Sequence, residues 1–341
     1  MSNARHKTDA VIVGAGPAGL FAVFECGMLG LSCHVVDALY AVGGQLTALY
    51  PEKPIFDIPG LPRVDAADLA ARLAEQAAPF KPVYHLGQQV TGLTAADGGW
   101  RVATAVGTEI EAPCVIIAAG VGAFGPNRPP LADLETYEAQ GSGLGVKYLV
   151  SRREDFRDRR VVIAGGGDSA VDWAVNLADV ARSIAVVHRR ARFRAQAETV
   201  RRMEDLAKAG RIELVVPYQL AALEGDGALA AVVVRDLDGG ERRLAADVLL
   251  PFFGLSQDLG PIAGWGLNLD RNLIKVDAAT MNAGRPGLFA IGDIAAYPGK
   301  LKLILTGFAE AAVAAHAAHA VARPDEILHF EYSTTRGVPG A

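Results

Sequence analysis

Short apolar runs and helix-compatible stretches alternate along this 341-residue chain. Ala10 to Val13 is wholly apolar and is bounded by Asp9 and a glycine, which predicts a buried strand. Gly14-Ala15-Gly16-Pro17-Ala18-Gly19 follows, and a helix-compatible stretch runs from Pro17 to about Gly30. A second apolar run, Ser32 to Val36, ends in Asp37. The same order returns further on. Arg160 to Ala164 reads as a strand, Gly165-Gly166-Gly167-Asp168-Ser169-Ala170 opens a helix to about Asp179, and Ser183 to Val187 is the next strand. That strand ends in His188-Arg189-Arg190.

Other runs complete the pattern. Val115 to Gly120 and Leu288 to Asp293 read as buried strands, the first ending in glycine and the second in Gly292-Asp293. Lys302 to Ala322 carries an alanine-rich helix that starts near Thr306. Gln88 to Leu93, Val232 to Arg235 and Arg243 to Leu250 read as strands. The chain is therefore expected to be α/β, with two Rossmann-like three-layer domains, the second inserted into the first. The first comprises 1–120 and 287–341, and the insertion comprises 121–286. Both joining segments, Gly122 to Pro130 and Asn282 to Gly287, contain glycine and proline, as a hinge would.

The glycine turns carry the chemistry. In the first, Gly14 permits the tight turn, Gly16 lets the backbone approach a pyrophosphate, and Gly19 lets the helix pack close to the strand. The helix N-terminus presents N–H groups and a positive dipole end to phosphates. Asp37, 18 residues beyond Gly19, is placed to accept hydrogen bonds from a ribose diol. The later strand end carries Arg189 and Arg190 where an acid would repel a ribose 2′-phosphate, and Arg194 can join them. The first site thus prefers an unphosphorylated ribose, and the other has the character of an NADP site.

Composition narrows the classes. The 33 basic and 38 acidic residues give a net charge of −5, unlike a general nucleic-acid binder. Cys26, Cys33 and Cys114 are too few for a disulfide framework and form no CxxC, and Cys26 and Cys33 are expected to be small buried hydrophobes. Met1 to Asp9 is polar, and no run of about 18 residues is free of charges or breakers, so neither secretion nor a membrane span is expected and a cytoplasmic protein is. His316 and His319 have a metal-compatible spacing without carboxylate or cysteine partners, so no metal is expected.

Two Rossmann units, one inside the other, resemble the two-dinucleotide-binding flavoproteins. GGGDSAVDWA from Gly165 and HRRARFRA from His188 are similar to the NADPH-domain motifs of the thioredoxin-reductase-like group. That group's redox CxxC is missing here, as is the cysteine pair that glutathione-type reductases place after the first acidic strand. The block VGGQLTALYPEKPIFDIPG from Val42 resembles the ferredoxin–NADP reductases of the thioredoxin-reductase-like type. The resemblance covers essentially the whole chain.

It implies FAD in the first domain, NADPH in the second and a homodimer. For FAD it implies the turn Gly14, Gly16, Pro17 and Ala18, with Asp37 on the adenosine ribose and Gln45 hydrogen-bonding near the flavin. It also implies Tyr50 stacked on the isoalloxazine, Val90 on adenine through its backbone, Phe124 near the flavin and Asp293 at the ribityl or pyrophosphate. Leu328 to Ala341 would be an extension over the flavin of the partner subunit, with Thr334 approaching that flavin and Tyr332 stacking on its other face. For NADPH it implies Gly165, Gly167, Asp168, Ser169, His188, Arg189, Arg190 and Arg194.

The implied activity is hydride exchange between NADPH and flavin N5, then single-electron exchange with ferredoxin or flavodoxin, with no obligatory protein acid or base. Ser151 to Arg211 holds 14 basic and 9 acidic residues, a local +5 that leaves −10 for the rest and suits an acidic protein partner. The alternatives are a flavin-dependent disulfide reductase using an external thiol and a non-catalytic flavin redox sensor. The second nucleotide motif argues against a sensor.

Overall fold

The computed structural model describes residues 5–329 and 332–338, the side chains at 123–125, 255–257 and 336 excepted. The chain forms two compact units, Met1–Phe124 with Gln257–Ala341, and Gly125–Ser256.

In the first unit the apolar runs build a five-stranded parallel sheet. Its order is Leu288–Ala290, Cys114–Ile117, Ala10–Val13, Cys33–Asp37, Val83–Leu86. Ile12, Val35, Ile116 and Phe289 point to one face, where the helices Pro17–Met28 and Ile304–Ala322 cover them with Ala22, Val23, Ala311, Ala314 and Ala315. Val11, Val13, Val36, Val115 and Ile117 point to the other. There they meet Val90, Trp100, Val102 and Ile110 from a second sheet of Val90–Ala96, Gly99–Thr104, Glu109–Ala112 and Arg5–Lys7. A sheet covered on both faces explains why its strands read as continuous apolar runs. Phe289 is fully enclosed, so Phe289→Ala would cost about 3–5 kcal/mol.

The second unit repeats the plan. Gly145–Val146, Val248–Pro251, Arg160–Ala164, Ser183–Val187 and Ile212–Val215 form its parallel sheet. Val162, Ala164, Val187 and Leu249 pack on Val232, Val234 and Leu244 of the antiparallel sheet Gln219–Glu224, Ala231–Arg235, Glu241–Ala245. The helices Asp168–Leu177 and Ala197–Lys208 pack against the parallel strands.

Several expected boundaries shift. The chain returns to the first unit at Gln257 rather than at 287. Leu259, Ile262, Trp265, Leu267 and Ile274 bury themselves between the first unit's two sheets, which fixes the earlier return. The expected strand Arg243 to Leu250 is two strands in different sheets, Glu241–Ala245 and Val248–Pro251. Asp247 between them breaks the run by accepting the Arg160 N–H at 2.8 Å and pairing with the Arg160 guanidinium. The strand expected from Leu288 stops at Ala290, because Gly292 turns the chain with φ +74°. The strand expected from Val115 spans Cys114–Ile117, and the last helix begins at Ile304 instead of Thr306. That helix is long and apolar enough to cross a membrane by length and composition. Its Ala311, Ala314, Ala315 and Ala318 are nevertheless core residues, and it carries a buried glutamate.

Candidate nucleotide sites

Each unit holds a cavity at the carboxyl ends of its central parallel strands, where open α/β sheets bind ligands. The first has a volume of about 500 Å³ and is lined by Gly14, Gly16, Pro17, Ala18, Asp37, Gln45, Tyr50, Val90 and Asp293. These residues come from six separate stretches of sequence. The second has a volume of about 650 Å³ and is lined by Gly165, Gly167, Asp168, Ser169, His188, Arg189 and Arg194.

The two turns share one backbone construction. Gly14 N–H donates to Val36 O at 2.8 Å and Gly165 N–H to Val187 O at 3.0 Å. The strand on the other side closes in the same way, with Ala118 N–H on Val13 O and Phe252 N–H on Ala164 O, both at 2.8 Å. Gly14 has φ +112°, and a Cβ there would sit 2.3 Å from Ala118 O. A Cβ at Gly165 would sit 2.7 Å from Phe252 O. A Cβ at Gly19 would lie 1.9 Å from Gly14 O, so this residue lets helix and turn touch. These glycines are demanded by the protein itself.

The middle glycines are different. Gly16 has φ −72° and Gly167 has φ −98°, both open to any residue. A Cβ at Gly16 would find nothing nearer than Gly44 Cα at 4.0 Å, and one at Gly167 would find nothing within 4 Å. Neither backbone conformation nor packing excludes a side chain. What it would fill is cavity, directly before the helix N-terminus at Pro17 or Asp168. That space suits a pyrophosphate in contact with backbone N–H groups.

In the first cavity Asp37 is already engaged. Its carboxylate accepts the Ala15 N–H at 2.6 Å and the Leu39 N–H at 2.8 Å, clamping the glycine turn. Burial pushes its pKa up, and the two backbone bonds oppose that shift. Both oxygens keep lone pairs for a ribose diol. Tyr50 is half-buried, and desolvation, aided by the Asp293 charge, pushes its hydroxyl up to about 12, so it stays neutral. Lys53 Nζ lies 5.7 Å from the Tyr50 ring centre. Gln45 opens a short helix, Gln45–Ala48, and its Nε2 lies 3.6 Å from where a Gly120 Cβ would be.

In the second cavity the loop after the strand folds back on the turn. Arg194 N–H donates to Gly166 O at 2.7 Å, and Asp168 accepts the Gln196 N–H at 2.9 Å. The His188 ring covers Gly166, where a Cβ would come within 2.3 Å of it, and stacks on Phe193 at 5.3 Å. His188 is buried, and its Nε2 makes no hydrogen bond to the protein. Burial lowers its pKa first, followed by repulsion from Arg194, Arg189 and Arg190. The imidazole is therefore neutral, and the positive charge in the wall comes from arginine.

Three expected residues are not part of these walls. Arg190 is exposed and does not line the second cavity. Tyr332 and Thr334 flank the start of the short helix Ser333–Arg336, both exposed, and line neither cavity of their own chain. The Phe124 side chain lies outside the described residues. Conversely, Trp265, Lys302 and Gly307 line the first cavity, and Tyr218, Phe252 and Phe253 the second, without a motif to announce them. The one available signal was the polar Lys302 at the mouth of an apolar helix.

Comparison with known proteins agrees with this duplicated architecture. Residues 8–320 match the family described as pyridine nucleotide-disulphide oxidoreductase. Thioredoxin reductase of Lactococcus lactis, in its FR conformation, has the same fold, with a TM-score of 0.79 over 92% of this chain and 99% of that one at 24% identity. A ferredoxin–NADP reductase of Paramagnetospirillum magneticum is 64% identical, with 98% of this chain and 99% of the relative covered. One from Rhodospirillum rubrum is 62% identical, with 98% and 97% covered. The chain belongs to the pyridine nucleotide-disulphide oxidoreductase family and, within it, to the ferredoxin–NADP reductases. It is an oxidoreductase.

Proposed function

We propose that the chain is an FAD-dependent ferredoxin–NADP⁺ oxidoreductase, with FAD in the first unit's cavity and NADP(H) in the second. One observation carries the reading: Gly16 and Gly167, where neither backbone nor nearby atoms crowd a Cβ, open onto the two cavities directly before a helix N-terminus. When bound, FAD supplies the exchange between a two-electron nicotinamide and one-electron carriers.

The chain's own groups bind and orient. The turn and helix start at Gly16 to Ala18 take the FAD pyrophosphate, Asp37 the adenosine ribose, and Asp293 the ribityl or pyrophosphate region. Gln45 and a neutral Tyr50 border the flavin, Val90 offers its backbone to adenine, and Phe124 approaches the ring. Gly165, Gly167, Asp168 and Ser169 frame the NADP(H) pyrophosphate. Arg189 and Arg194 take the 2′-phosphate through charge-assisted hydrogen bonds, and Arg190 contributes field from outside the wall. Thr334 and Tyr332 reach the partner subunit's flavin in a homodimer. Ferredoxin or flavodoxin is the protein partner, met on a locally basic surface, and the setting is cytoplasmic.

A disulfide-reductase reading finds no support in the thiols. A hydrogen bond with Cys33 and burial push the Cys26 thiol well up, and burial pushes Cys114 to about 12. Neither is a usable thiolate. The test is to mix the yellow holoprotein with NADPH or NADH under argon. NADPH is expected to bleach the flavin far faster than NADH, and oxidised ferredoxin from the same cell to restore it. Failure of both nucleotides to bleach would refute the reading.

A further inference from the structure

Among the described residues Glu310 is the only acid in the buried core, 2% exposed on the helix Ile304–Ala322. A charge in such a place persists only when its lone pairs are filled. They are: Glu310 accepts the Gly292 N–H at 2.7 Å, the Tyr297 O–H at 2.7 Å and the Lys300 ammonium. The Lys300 side chain is itself only 7% exposed, so the ion pair lies out of water.

All three donors belong to one segment, Gly292 to Lys300, which joins the sheet strand Leu288–Ala290 to the helix. Both ends of that segment border the first cavity. Gly292 and Asp293 line it at one end, and Lys302, Leu303 and Ile304 line it just beyond the other. The fit leaves little slack. A Cβ at Gly292 would lie 3.3 Å from the Ala18 Cβ, and one at Gly307 would lie 3.2 Å from the same atom. Movement of the Gly292 turn would therefore reach Ala18 in the pyrophosphate turn. Burial and the hydrogen bond to Glu310 push the Tyr297 hydroxyl up to about 12, which keeps its donor proton in place.

We propose that Glu310 is a cofactor-positioning residue. By holding the Gly292 amide and the Lys300 ammonium together, it fixes Asp293 and Lys302 on the wall of the FAD site. The proposal rests on FAD occupying that cavity. Nothing in Glu310 touches the reacting atoms, so it acts through the segment it holds.

Two charge-balanced variants of the holoprotein test it: Lys300→Met with Glu310→Gln, and Lys300→Met with Glu310→Leu. Neither leaves a lone buried charge, but only glutamine keeps an oxygen for the Gly292 N–H. Flavin fluorescence released on dilution reports FAD affinity, the visible flavin band reports its surroundings, and thermal melting reports the fold. The leucine variant is expected to bind FAD about tenfold more weakly than the glutamine variant, with a shifted flavin band, at similar melting midpoints. Equal FAD affinity and an unshifted band in the two variants would overturn the proposal, as would a loss of FAD that merely tracks melting. Tyr297→Phe is the milder probe if the leucine variant does not fold: weakened FAD binding supports positioning, and unchanged binding overturns it. A wild-type protein that retains no FAD would refute the underlying assignment instead, which separates the two failures.

Discussion

Asp37 and His188 stand at the same point of the two units, one residue past the paired ends Val13↔Val36 and Ala164↔Val187. Each secures the middle of its glycine turn. Asp37 does so by accepting the Ala15 N–H, and His188 does so by laying its ring on Gly166. The mechanical task is common and the electrostatics are opposite. An acid at this point both holds the turn and turns away a ribose phosphate. A neutral imidazole holds the turn, and the positive charge of the wall comes from Arg189 and Arg194 in the following loop. In the second unit the charge of the wall has therefore moved off the strand end, whereas in the first unit one carboxylate at the strand end both holds the turn and carries the charge.

Filling the ligand-facing glycine of each turn should break this comparison most severely. Gly16→Val is expected to lower FAD affinity, and Gly167→Val NADPH affinity, by more than about a hundredfold, or about 2.7 kcal/mol. Thermal melting should move far less than affinity, since a Cβ at either position stays at least 4.0 Å from other protein atoms. Titration with each nucleotide beside a melting curve checks both halves. Removing Arg189 and Arg194 together should weaken NADPH binding by up to about a hundredfold, at about 1.5 kcal/mol for each charged contact, and leave NADH binding unchanged. Arg190→Ala should change the NADPH preference less than about threefold, because it lies outside the wall. Equal losses from Arg189→Ala and Arg190→Ala would sink that distinction. Asp37→Asn keeps one good acceptor for two N–H donors, so FAD should bind about tenfold more weakly.

The smallest effect concerns acid. His34 Nδ1 and His85 Nε2 lie 3.0 Å apart in the first sheet, and burial, then His85 and His6, lower His34 to about 4. His85 and His188 are lowered as well, with burial the main cause. An unfolded histidine takes its proton near 6.5, so below that pH the unfolded chain gains protons that the folded one refuses. Stability should be complete above about pH 6.5 and fall as pH drops towards 4. His34→Gln should flatten that fall in urea titrations at several pH values, and an unaltered slope would count against it.

The sequence revealed those parts of the molecule whose cause is local. Gly14 must turn, Gly19 must let a helix touch, and a strand buried on both faces must be apolar throughout, so the turns and central strands could be read directly. Trp265, Leu259 and Ile262 could not be assigned to the first unit, because their reason is a sheet more than a hundred residues earlier. Arg190 resembled Arg189 because adjacency in sequence does not say which side chain faces a cavity. Lys300, Tyr297 and Glu310 have no pattern that pairs them. Their meaning depends on a helix folding back over its own connecting segment.

The insertion also sets an order in time. The strand Leu288–Ala290, the Gly292 turn and the helix Ile304–Ala322 complete the first unit, yet they leave the ribosome after all of Gly125–Ser256. Chains fold as units from the N-terminus during synthesis. The inserted unit thus has its whole sequence available before the first has its own, and the earlier half must wait with an uncovered sheet edge. The first unit's cavity is finished only when the residues as far as Gly307 have arrived, after the second unit's cavity, whose lining ends at Gly254, is complete in sequence.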